Sequence, residues 1–150
     1  MTEYLELEDL LAAADVALGH RAEIRDIGLL QSAVARPRAT AFGEEAYHSL
    51  DEKAAALLHS IVTGHPLVDG NKRLGWVALR LIYRLNGTDV RPPDDAAFDL
   101  VVRVAEASIR DVAAIAERLA RWRVGPCLFD SDQPDPAEQV GQALDGFREG

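Results

Sequence analysis

Apolar residues recur at helical spacing in six stretches of the chain and almost nowhere alternate with polar ones. In the first, Leu7, Leu10, Leu11, Ala14 and Leu18 share one side of a segment that turns helical from about Glu6 and ends at Gly19 and His20. The run DIGLLQSAVARP predicts a short second helix with Leu30, Ala33 and Val34 inward, closed by Pro37. Asp51 opens a third, DEKAAALLHSIVTG, where Ala54, Leu57, Leu58, Ile61 and Val62 form a core face before Gly64 breaks it. The strongest stripe lies in LGWVALRLIYRLNG: Leu74, Val77, Ala78, Leu81, Ile82 and Leu85, with Asn86 and Gly87 as the stop. Pro92 and Pro93 bar continuation. A fifth helix from Asp94 or Asp95 would turn Phe98, Val101, Val102 and Ala105 inward. Ser108 followed by Asp111 signals the N-cap of a sixth, carrying Val112, Ile115, Ala116 and Leu119.

Two stretches break this pattern. RATAFGEEAYHS has no sustained stripe and contains Gly43, which reads as a loop or short hairpin. From Val124 the chain becomes rich in Pro and Asp, so residues 124–150 read as a linker followed by a tail. There Asp135, Pro136 and Glu138 resemble a helix start, and Val140, Ala143, Leu144 and Phe147 keep helical spacing. The expectation is an all-α fold of about six helices over residues 1–123, with room for one small β-hairpin. The tail is a short helix, docked or frayed, or disordered.

Composition narrows the function. The 150 residues suffice for one domain with a sizeable core. A formal net charge of -9 argues against general binding to nucleic acid or anionic membrane, yet leaves room for a local basic pocket. No apolar run approaches the length of a membrane span, and no signal-like leader opens the chain. The lone cysteine, Cys127, cannot form an internal disulfide and reads as an apolar filler; a cytoplasmic location is expected. Fourteen arginines stand against two lysines, Lys53 and Lys72, and Lys72 falls inside the most polar cluster of the chain.

That cluster is HPLVDGNKR, residues 65–73, between the third and fourth helical segments. His65 precedes Pro66, which favours an extended backbone just past the third helix. The next helix should start near Gly70 or Asn71. Its first N–H groups lack intrahelical partners and form the positive end of the helix dipole, a ready anion site. Gly70 lets a phosphate approach the backbone. Lys72 and Arg73 oppose the dipole in that first turn, a conflict that a bound anion resolves. Asp69 is a hard oxygen ligand suited to Mg²⁺ shared with substrate phosphates. His65 is free to take a proton from an incoming hydroxyl, since imidazole exchanges protons near neutral pH. Taken singly, each residue has an ordinary loop or capping explanation; together they are the parts of a phosphate-transfer site.

HPLVDGNKR resembles the signature of the Fic/Doc family, and Lys72 after Asn71 resembles its Doc (death-on-curing) toxin branch. AMP-transferring members carry glycine at that place and a second arginine three residues after the first; here Lys72 and Trp76 stand there. The resemblance runs from about residue 4 to 123. It implies a compact helical bundle with the motif between two central helices, His65 activating the target hydroxyl, and Asp69 orienting Mg²⁺ and ATP. Lys72 and Arg73 then act both in catalysis and, with Gly70 and Asn71, in holding phosphates. It further implies γ-phosphate transfer from ATP to a threonine of elongation factor Tu, and a Phd-like antitoxin that blocks the site with a helical C-terminal segment. Rival readings are AMP transfer to a protein hydroxyl, or a catalytically silent helical module that binds an antitoxin. Leu67 stands where the family has an aromatic residue, and is expected still to anchor the loop in the core.

Several features stay outside this core set. Arg73, Arg80 and Arg84 share one helix face; Arg80 and Arg84 read as a solvated face, with a nucleotide or the antitoxin as the alternative for Arg80. Residues 39–47 match the place of the family's flap, which aligns the target chain, or form an ordinary surface loop. His20, His48 and His59 receive no role. Asp145 to Gly150 loosely resembles an inhibitory motif of some Fic proteins, with Asp145 in place of Ser or Thr and without the arginine that Glu149 would engage.

Overall fold

The computed structural model describes residues 1–93 and 95–125. The expected tail helix, Cys127 and the Asp145–Gly150 resemblance lie outside these residues. Among the described residues six helices follow in order: α1 Leu7–Leu18, α2 Ile27–Ala35, α3 Leu50–Gly64, α4 Asn71–Leu85, α5 Ala96–Ala105 and α6 Val112–Trp122. Two small antiparallel sheets accompany them, β1 Thr40–Ala41 with β2 Glu44–Glu45, and β3 Asp89–Val90 with β4 Arg123–Val124. The fold is mostly α-helical with a small β flap, as expected. The second ladder is not foreseen by the periodicity, because two-residue strands are too short to alternate. It pairs Val124 with Asp89, so Val124 belongs to the ordered body and not to a linker.

Local chemistry sets the helix ends. Asp26 caps α2 by accepting from the Gly28 and Leu29 N–H groups at 2.9 and 3.3 Å. Ser49 caps α3 through the Glu52 N–H at 3.0 Å, and Asp111, not Ser108, caps α6 through the Ala113 N–H. Gly19 ends α1 in the left-handed conformation, the usual device for a helix C-terminus. Helix α2 ends at Ala35, just ahead of Pro37, whose missing N–H cannot continue the ladder; Pro37 is buried within a 3-10 turn, Arg36–Arg38, that follows.

Helices α3 and α4 form the centre. Both are apolar well beyond a single stripe, with Ala54 to Leu58 and Leu74 to Tyr83 buried without a break, because other helices cover them on several sides. Leu85, expected inward, is exposed at the end of α4. Gly75 allows the two axes to approach: a Cβ there would meet Val62 Cγ1 at 2.7 Å and Leu58 Cδ1 at 3.0 Å. The buried face of α5 is rotated from the expected one. Ala97, Leu100, Val101 and Val104 are buried while Phe98 is exposed. The small Ala97 fits against the body where the large Phe98 does not.

Arg80 and Arg84 are not a solvated face. Asp89, only 2% exposed, accepts from Arg80 Nε at 3.1 Å and Arg80 Nη2 at 2.7 Å, and from Arg84 Nη2 at 2.8 Å. Burial alone would raise the Asp89 carboxyl. The hydrogen bond and charge of Arg80, the Val90 N–H and the charge of Arg84 together outweigh burial and hold it below the ordinary carboxylate range. This ion cluster ties α4 to β3. Beside it, Tyr83 donates to Asp51 at 2.6 Å; burial and that bond push the phenol well above its usual range.

Candidate active site

The loop between α3 and α4 brings His65, Asp69, Gly70, Asn71, Lys72 and Arg73 to one end of the central helix pair. Helix α3 stops where His65 takes the left-handed conformation (φ 54°, ψ 59°), its N–H donating to the Ile61 carbonyl. An extended His65 is therefore not what forms. Pro66 excludes the right-handed helical region, and the helix C-cap selects the left-handed one instead. That region costs a residue with a Cβ about 1–2 kcal/mol. The surroundings hold it there. Arg25 donates from Nε to the His65 carbonyl at 2.6 Å and from Nη2 to the Gly64 carbonyl at 2.8 Å. The His65 ring itself is exposed and makes no hydrogen bond among the described residues.

Pro66 and Leu67 then plunge into the core. Leu67, 1% exposed, anchors the loop as expected without an aromatic ring. Segment 23–26 runs alongside and clamps it: Ile24 bridges Leu67, the Arg25 and Asp26 N–H groups donate to the Pro66 carbonyl, and the Val68 N–H donates to Glu23. The Asn71 side chain closes the loop from the other side. Its Oδ1 accepts from the Leu67 N–H at 2.9 Å and its Nδ2 donates to the Leu67 carbonyl at 3.0 Å. The Asn71 amide group is thus engaged in shaping the loop.

Gly70 begins α4 with φ 86°, and no side chain caps the helix. The glycine is required by its left-handed backbone, and a Cβ there would also displace the Leu18 side chain at the end of α1. The leading N–H groups of α4 accordingly have neither intrahelical nor side-chain partners. Lys72 is exposed with no partner among the described residues. Arg73 is half-buried and directs Nη1 to the Ala17 carbonyl at 3.3 Å, which fixes the guanidinium against the end of α1. Asp69 is exposed, and its carboxylate has no partner among the described residues. It suits a Mg²⁺ ion held by one carboxylate and by substrate phosphates, and no group of three or more His, Cys, Asp or Glu is assembled among the described residues to offer an all-protein cage.

Residues 39–47 form the hairpin. Phe42 (φ 55°) and Gly43 (φ 80°) make its two-residue tip, and the Phe42 ring is fully exposed. Its base is pinned from below. Lys53, buried, donates to the Tyr47 carbonyl at 2.5 Å and pairs with Glu45 at 3.5 Å. Arg36 binds the Tyr47 hydroxyl at 2.9 Å, His59 Nδ1 at 2.8 Å and Ser60 Oγ at 3.0 Å. Burial, then the Arg36 charge, pushes the His59 imidazole below its usual value. His59 therefore serves as a neutral acceptor beneath the flap.

Sequence reasoning missed Arg25, Arg36 and Lys53, which position the loop and the flap. Only Lys53 had a signal, as one of two lysines in an arginine-rich chain.

No helix among the described residues is long and apolar enough to cross a membrane. Comparison with known proteins supplies the remaining context. The model of the Fic/DOC family matches residues 4–83, a span that includes α1 to α3, the flap, the whole loop and most of α4. A protein named Toxin Doc from Mycolicibacterium smegmatis is 47% identical over 122 residues, covering 80% of this chain and 93% of its own length. A family match over more than half of the sequence, with an extensive relative beside it, settles the kinship: the chain belongs to the Fic/DOC family.

Proposed function

We propose that this chain is the toxin of a toxin–antitoxin pair and a protein kinase, transferring the γ-phosphate of ATP to a hydroxyl of a translation factor, with elongation factor Tu the expected target. The observation that carries this reading is the uncapped start of α4, with Lys72 and Arg73 in its first turn beside the exposed His65 and Asp69. The relative named Toxin Doc supports the toxin half. Trp76, 1% exposed, supports γ- over α-phosphate chemistry, because a buried indole fills the place where AMP-transferring members carry a second arginine.

His65 takes the proton of the target hydroxyl as its oxygen attacks the γ-phosphorus. The new O–P bond forms as the bond to the bridging oxygen breaks, and ADP leaves. Lys72, Arg73 and the leading N–H groups of α4, with the backbone at Gly70 open to close approach, hold phosphate oxygens and offset their charge. Asn71 contributes its backbone N–H and keeps the loop in shape. Asp69 would hold Mg²⁺, which supplies charge neutralisation on the phosphates when bound. The cell compartment that fits is the cytoplasm, and a Phd-like antitoxin would cover the site with a helical segment.

Two parallel reactions of the purified protein with a bacterial translation extract and Mg²⁺ test this. One receives ATP labelled at the γ-phosphate, the other at the α-phosphate. Transfer of γ-label alone to a protein the size of elongation factor Tu is expected. Transfer of α-label would assign AMP transfer instead, and movement of neither label would favour a silent antitoxin-binding module.

A further inference from the structure

We infer that Arg25, forty residues before the loop, is the positioning residue for His65. Helix α3 has no basic side chain in its own last turn to offset the negative end of its dipole, and the His65 N–H serves the Ile61 carbonyl, not that of Gly64. Arg25 supplies both from outside, its Nε on the His65 carbonyl and its Nη2 on the Gly64 carbonyl. The two contacts fall on the peptide units on either side of the His65 N–Cα–C unit. Together they fix the left-handed turn that directs where the imidazole leaves the backbone.

The arginine is itself held in place. Its N–H and that of Asp26 share the Pro66 carbonyl, Ile24 bridges Leu67, and the Asp26 carboxylate caps α2. Arg25 thus stands on a backbone rigidly attached to the loop it braces. A guanidinium reaches two neighbouring carbonyls with its fixed fork, whereas a lysine ammonium is a single point charge on a flexible stem. Among the described residues the Arg25 side chain bonds only to the His65 and Gly64 carbonyls and not to Gly70, Lys72 or Arg73, so the phosphate-holding end of the site is separate from it. Its effect should fall on proton transfer and not on nucleotide affinity.

The inference rests on the proposed role of His65 as base, so its test has one arm that needs no activity. In isotope-labelled protein, Arg25→Ala is expected to move the His65 Cα and Cβ chemical shifts away from left-handed values, with the remaining helices unchanged. In the transfer reaction, Arg25→Ala should lower kcat roughly 10- to 100-fold, the scale of a small misplacement of a reacting group, with KM for ATP unchanged. Arg25→Lys should restore only part of the loss. His65 shifts that stay unchanged in Arg25→Ala would overturn the inference, as would a raised KM for ATP with kcat intact. If the wild-type protein moves neither label yet the His65 shifts respond to Arg25→Ala, the kinase reading falls and the positioning role stands.

Discussion

Helix α4 treats its cations differently at its two ends. Toward the C-terminus, buried Arg80 and half-buried Arg84 converge on one carboxylate, Asp89, at 2.7 and 2.8 Å. At the N-terminus, Lys72 is exposed with no partner among the described residues, and Asp69 stands nearby in sequence with none among them either. Arginine-rich helices are common, so charge alone does not mark a site. What distinguishes the ends is whether the fold has already satisfied the charge. The far end is complete and works as a clasp. The near end is left incomplete, and in a first helical turn an unsatisfied cation is a standing electrostatic cost that an anion removes.

The largest effect separating the ends should be chemical. His65→Ala and Asp69→Ala are each expected to lower label transfer by at least ~10²-fold, the usual weight of a positioned proton acceptor or charge-stabilising group, and to abolish growth arrest. Both side chains are exposed, so thermal melting should stay near wild type. Normal toxicity from both well-folded variants would remove the assigned chemistry. Asp89→Ala is the converse. It strands the buried Arg80 guanidinium and the half-buried Arg84 beside it and should cost about 3–5 kcal/mol in denaturant unfolding, while the surviving folded fraction keeps its transfer rate. A stability close to wild type would mean that water enters and solvates the pair.

The smallest effect is a pH dependence at the far end. Asp89 binds its proton less readily in the folded protein than in the unfolded chain, so in the window between the two values the unfolded chain holds more protons. Its contribution is complete above the ordinary carboxylate value of about 3.9 and is lost as pH falls through the depressed folded value. The stability advantage of the wild type over Asp89→Asn should therefore shrink below about pH 4. A constant advantage down to the acid limit would assign the difference to packing.

The same contrast explains what the sequence made legible. The start of α4, the end of α1 at Gly19 and the hairpin around Gly43 rest on interactions spanning a few residues, and a periodicity or a turn residue announces them. The site motif is similarly local, nine consecutive positions. Arg25 is not local. It reaches His65 from forty positions away, and nothing near it in sequence marks it out. The Arg80–Asp89 pair sits nine positions apart across the turn at Asn86 and Gly87, and helix spacing alone made Arg80 and Arg84 look solvated. The face of α5 was misjudged for a related reason. Hydrophobicity ranks Phe98 above Ala97, but the body of the fold accommodates the smaller residue.

The spacing of the site has an origin deep in the molecule. His65 ends one central helix and Asn71 begins the next, so the gap between proton acceptor and phosphate cradle is the gap between those helices read at their tips. Gly75 sets it, one turn inside α4, by presenting only hydrogen to Val62 and Leu58. A methyl group there would act as a wedge, prising the tips apart while leaving every functional side chain present. The bite of the site is thus gauged by a residue that never meets the substrate.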